Sequence, residues 1–160
     1  MAVKVQIEKS PWVFDLETTE LAWDIGKEII KFKKPTLDVK EGAKPEQVID
    51  LLQAEEVVTI HCELTKHTLS GASSLFDVIR KLKQLVTGGS EVPGTDLVVS
   101  FKVMNQAEKP EDVEMLINWE SAYITKMSIR LSPEASEDSK GVPEIATCTL
   151  AIRRAELVTK

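Results

Sequence analysis

Two histidines and two cysteines are all that this 160-residue sequence offers for soft-metal or thiol chemistry. His61 and His67 have five residues between them, and no third and fourth ligand stands at a spacing that zinc sites use. They read as an exposed strand position and a loop position. Cys62 and Cys148 lie far apart in segments that alternate like strands, without the paired spacing of a zinc site or a redox motif, and read as buried thiols. Alternation turns Cys62 inward and His61 outward, which excludes the pair as nucleophile and base. The sequence also lacks any run near the ~20 apolar residues that span a bilayer. Its first ten residues alternate apolar with polar instead of setting a basic stretch before an apolar one, so a signal peptide is not expected. Synthesis in a reducing cytosol follows as the default.

Positive charge is in short supply too. A formal net charge of −6 and a pI of about 5.1 argue against a dedicated nucleic-acid binder, which needs a concentrated Lys/Arg surface to neutralise phosphate. The one basic cluster, Lys27, Lys31, Lys33 and Lys34 interleaved with Ile29, Ile30 and Phe32, reads as a solvated or subunit-facing strip. Gly88-Gly89 and Gly94 follow a helical segment instead of opening one, so they do not form a phosphate cradle. The carboxylates Glu55, Glu56, Glu63, Glu108, Glu111, Asp112 and Glu114 carry no pattern that implies burial and read as solvated. No catalytic, cofactor or metal residue emerges, and the chain is not expected to be an enzyme.

What the sequence does hold is alternation. With 42% apolar and 29% charged residues it has the composition of a globular protein, and its length suits one domain over 1–160. Val3, Val5 and Ile7 alternate with Lys4, Gln6 and Glu8 up to Ser10-Pro11, a half-buried strand. A second extended segment is expected over Trp12 to Leu16, and Glu28 to Phe32 fits a short strand or a helical turn. Whether residues 1–50 join the main body or form an N-terminal arm is left open. Pro45 suits the first position of a short helix over about 45–54, with Val48, Leu51 and Leu52 at helical spacing. Glu56 to Leu64 is a strand with Val58, Ile60, Cys62 and Leu64 on its core face. The principal helix is expected over about 70–86, with Leu75, Ile79, Leu82 and Leu85 on one stripe, Ser73 or Ser74 as its cap and Gly88-Gly89 at its end.

Further strands are expected over Asp96 to Met104, Val113 to Leu131 and Ile145 to Val158, the last two separated by the polar, acidic stretch Ser132 to Pro143. Runs of strands with one main helix imply an α+β fold, its antiparallel sheet curled into a barrel or a sandwich. Trp12, Trp23, Trp119, Val57 and Val98 make several strand faces apolar on both sides, and a neighbouring subunit could cover them.

The order of Val57-Val58-Thr59-Ile60-His61-Cys62-Glu63-Leu64, the helix to Val86, Gly88-Gly89, Leu97 to Val103, Trp119 to Ile129, a polar loop and a final alternating strand resembles the tube and baseplate-hub proteins of phage-like tails and contractile injection systems. The resemblance covers roughly residues 55–158 and rests on element order. It implies a β-barrel with one flanking helix, copies that pair sheet edges in a ring around a lumen, and a site of action in a virion or injection apparatus. It further implies that Ser132 to Pro143 is an inter-subunit arm, with Val98, Trp119, Ile124, Glu134, Glu137 and Asp138 as interface residues. The partners would be copies of the chain and neighbouring tail or baseplate proteins, with no membrane insertion. The alternative reading is a small soluble binding module for an apolar ligand or a peptide.

Overall fold

The computed structural model describes residues 3–33, 46–131 and 141–155. Six strands, β1 (Lys4–Lys9), β2 (Trp12–Lys33), β3 (Glu46–Leu64), β4 (Val99–Met104), β5 (Met115–Leu131) and β6 (Ala146–Arg154), pair antiparallel in the closed order β1-β2-β3-β6-β5-β4. Among the described residues one α-helix, α1 (Leu75–Thr87), lies between β3 and β4 in sequence. Of the two architectures left open by the alternation, the barrel is the one adopted.

The barrel forms because the inward rows of all six strands are apolar. Val5, Ile7, Phe14, Leu16, Val58, Ile60, Leu64, Phe101, Val103, Leu150 and Ile152 are buried in a single cluster, and their strand neighbours in sequence are polar or solvent-facing. Phe101 packs on Trp119 with ring centroids 5.4 Å apart. Cys62 and Cys148 stand opposite each other on β3 and β6, both buried. A hydrogen bond to Cys148, reinforced by burial, pushes the Cys62 thiol far above its ordinary value.

Helix α1 starts where its sequence says it should. The Ser74 hydroxyl accepts from the Asp77 amide (3.4 Å), while the Asp77 carboxylate accepts from the Ser73 amide (3.2 Å) and pairs with Arg80 and Lys81. It ends at Gly88, whose φ of 86° suits glycine. Its buried stripe of Leu75, Val78, Leu82 and Leu85 joins the barrel core. Burial alone would raise the Asp77 carboxyl, but the Ser73 amide, Lys81 and Arg80 outweigh it and hold the group below its ordinary value of 3.8. A depressed folded value stabilises the fold above the unfolded value, and that stability drains away as pH falls through the folded one. Asp77→Ala is therefore expected to cost about 1–2 kcal/mol near neutrality. The difference from the parent should close in acid below 3.8, read by urea unfolding at several pH values.

Two expectations need correction. The short helix expected over 45–54 is not formed: the segment from Glu46 is the first half of β3, with Val48 opposite Lys31 and Asp50 opposite Ile29. So short a segment cannot hold a helix by itself, and pairing with β2 satisfies its backbone groups over a longer ladder. The short extended segment expected over Trp12 to Leu16 is only the start of β2, which runs on to Lys33 and takes in Glu28 to Phe32 as strand. Residues 4–26 therefore belong to barrel strands and their direct continuation. Most of the acidic stretch 132–143, and with it Glu134, Glu137 and Asp138, lies outside the described residues. No helix among the described residues is long and apolar enough to cross a membrane.

Candidate functional site

The barrel's closing strands are short, and this leaves its long strands exposed along one edge. β1 pairs with β2 only as far as Leu16, and β4 pairs with β5 only as far as Ala122. Beyond those points β2, β3, β6 and β5 continue as a four-stranded sheet. Its two outer edges, β2 after Leu16 and β5 after Ala122, have no strand neighbour among the described residues. Such edges present rows of unpaired N–H and C=O groups.

Each long strand bends near the point where it loses its closing neighbour. The register slips between Thr18 and Glu20 on β2, and between Ile124 and Lys126 on β5. The extra residue is a threonine in both cases, and its hydroxyl donates across to the next strand: Thr19 to the His61 carbonyl at 3.1 Å, Thr125 to the Ala151 carbonyl at 3.2 Å. A bulge adds local twist and swings the strand away from the barrel wall. At the far end, Arg153 and Arg154 of β6 pair with Glu55 and Glu56 of β3 at 2.7 and 2.6 Å, bracing the base of the β2–β3 hairpin where it leaves the barrel.

The register aligns the sheet's outer face into rows with a consistent polarity. Glu17, Glu63, Thr147 and Arg130 form one row; Glu20, His61, Thr149 and Ser128 the next; Ala22, Thr59, Ala151 and Lys126 a third; Asp24, Val57, Arg153 and Tyr123 a fourth. The β2 edge is acidic from Glu17 to Asp24, with Glu17, Glu20 and Asp24 exposed, before the lysines that begin at Lys27, and the β5 edge is basic, with Lys126 and Arg130 exposed. Between them runs a shallow groove of hydroxyl side chains, in which His61 Nδ1 lies 2.9 Å from Thr149 Oγ1. This is a hydrogen-bonded pair on the outer face of the sheet. Among the described residues no group of three or more His, Cys, Asp or Glu side chains is placed to hold a metal ion.

The interface residues expected from sequence divide sharply. Trp119 and Ile124 lie in the core, at 6% and 4% exposure, and so are removed from any surface of the folded chain. The bulges are the reason. Ile117, Trp119, Ala122, Ile124, Met127 and Ile129 all face inward because an extra residue enters twice along β5, and simple alternation cannot follow that. Val98 is half-buried in the link before β4, its carbonyl accepting from Lys9 Nζ at 2.9 Å and its amide donating to Asp96 at 3.1 Å. The acidic and basic edges were missed by the sequence reading. Their residues were visible, but only the register shows that they border one sheet.

No protein-family model matches this chain, and no curated protein does.

Proposed function

We propose that this chain is a non-enzymatic structural subunit that joins copies of itself head to tail, edge of β5 to edge of β2, into a closed ring, as a tube or baseplate-hub component of a phage-like tail or injection apparatus. One observation carries this reading: the two open edges belong to the same sheet and are opposite both in direction and in charge. With four alternating antiparallel strands, β5 runs against β2, so a second copy set alongside by rotation brings its β2 antiparallel to the first copy's β5. The ladder then continues without a break in its alternation. Exposed Glu17, Glu20 and Asp24 meet exposed Lys126 and Arg130.

A contact between two different surfaces of one chain repeats until the rotation closes a ring or winds a filament. Long open edges are a hazard in a monomer, and natural proteins block or cover them. Here the edges carry complementary charge instead, which suits them to copies of the same chain.

Light scattering after size exclusion, over a wide range of protein concentration, tests the proposal. The expected result is a mass that rises to a fixed multiple of the 17.8 kDa chain, or a stacked series of such multiples. A sharp monomer at every concentration would overturn it and favour the small binding module.

A further inference from the structure

We infer that the apolar groove between α1 and β5 is a socket for the next copy's β2, and that Ile25 is the side chain it receives. The inference rests on the edge-to-edge reading above and specifies what fills the contact on the sheet's inner side.

The groove has a volume of about 370 Å³ and is lined by Ile79 and Val86 of α1 and by Met127 and Ile129 of β5, with Lys83 and Thr87 at its rim. It exists because β4 ends before this part of β5. Met127 and Ile129 are opposite Leu150 and Cys148, which places them on the inner face, yet among the described residues no closing strand covers them and α1 covers them only in part. The groove therefore follows the open β5 edge itself.

The matching feature stands on the other edge. Leu21, Trp23 and Ile25 are opposite Ile60, Val58 and Glu56 on β3, so all three belong to the inner side of the sheet. Leu21 and Trp23 are partly buried by their own barrel, whereas Ile25 is 61% exposed, one of the two most exposed large apolar side chains among the described residues. When two strands pair, the inner faces of their sheets become continuous. A β2 edge laid along β5 thus presents Ile25 on the same side as the groove and removes two exposed apolar surfaces from water together.

β1 blocks β2 up to Leu16 and β4 blocks β5 up to Ala122, so on the β1 side of β2 and the β4 side of β5 the stretches without a strand neighbour among the described residues are the later part of each strand. These are the stretches that carry Ile25 and the groove. Charge adds to the match where Ile25 lies opposite Ile129, because antiparallel pairing then sets the exposed Asp24 opposite the exposed Arg130 on the outer side.

The test is cross-linking of the full chain with a short bis-maleimide, followed by denaturing electrophoresis. The Ile25→Cys/Ile79→Cys double variant is expected to give covalent trimers and larger species, since each copy then links to a neighbour on both sides. Each single variant, and the parent with its two buried thiols, is expected to stop at or below a dimer. Ile25→Cys/Met127→Cys probes the same socket from the strand side, should Ile79→Cys disturb α1. A parent that assembles by light scattering while neither double variant forms species above a dimer would overturn the socket and leave edge pairing standing. A parent that stays monomeric would overturn both.

Discussion

Ile124→Lys is expected to destabilise the fold by about 4 kcal/mol or more, a large share of the roughly 5–15 kcal/mol that holds a domain together. Ile124 is 4% exposed and stands opposite the fully buried Ile152 on the barrel's inner face. A lysine there loses the isoleucine's packing and also buries an ammonium group with no partner. Tyr123→Lys is the control. Tyr123 is 44% exposed and opposite Arg153 on the outer face, and its replacement should change stability by no more than about 0.5 kcal/mol. Urea unfolding followed by far-UV circular dichroism compares the two variants. Similar midpoints would contradict the inward placement of Ile124 and return it to the surface, where the sequence alone had placed it. The same reasoning makes Trp119 a folding residue, packed on Phe101.

Reversing the basic edge is expected to weaken assembly without touching the fold. Lys126→Glu with Arg130→Glu would set a row of carboxylates against Glu17, Glu20 and Asp24 of the next copy. Like charges directly opposite in a sheet cost up to about 1 kcal/mol per pair, so two such pairs should lower the association constant by about 10–30-fold. All the side chains concerned are exposed, so unfolding midpoints should not move appreciably. Adding Glu20→Lys and Asp24→Lys to the doubly reversed chain restores the complement and should restore association. Salt supplies a second reading of the same effect. Screening of exposed charges should weaken the parent assembly and strengthen the doubly reversed one. Equal association in all three proteins at low salt would remove the edge charges from the contact.

Much of the fold was legible because alternation is a local signal. β1, the barrel half of β3, β4, β6 and helix α1 could be read from the spacing of their apolar residues, and the helix cap from Ser74 and Asp77. The reading failed where partners far away in sequence decide the outcome. Residues 46–54 carry apolar groups at helical spacing, yet they form strand because β2 from Ile29 to Lys33 supplies a ladder. The bulge at Thr125 has no local signature, and one extra residue exchanges the inner and outer faces of everything that follows it. It is the earlier slip, between Trp119 and Ala122, that puts Ile124 on the same inner face as Ile117 and Trp119, and the one at Thr125 that keeps Met127 and Ile129 there.

The sequence by itself determined that this chain has the composition of a globular domain, that it is built from alternating strands around a capped helix, and that its net charge is negative. All of these follow from composition and from periods of two and 3.6 residues, which need no knowledge of what lies across the fold. Only the tertiary structure decided that the sheet closes into a barrel, that β1 and β4 stop short, and that an acidic edge and a basic edge are thereby left open. Those features depend on strand pairing between residues as far apart as Lys4 and Met104. The hydrogen bonds that set such pairing are chemically the same at every position, so the choice among registers is made by the packing of the whole core.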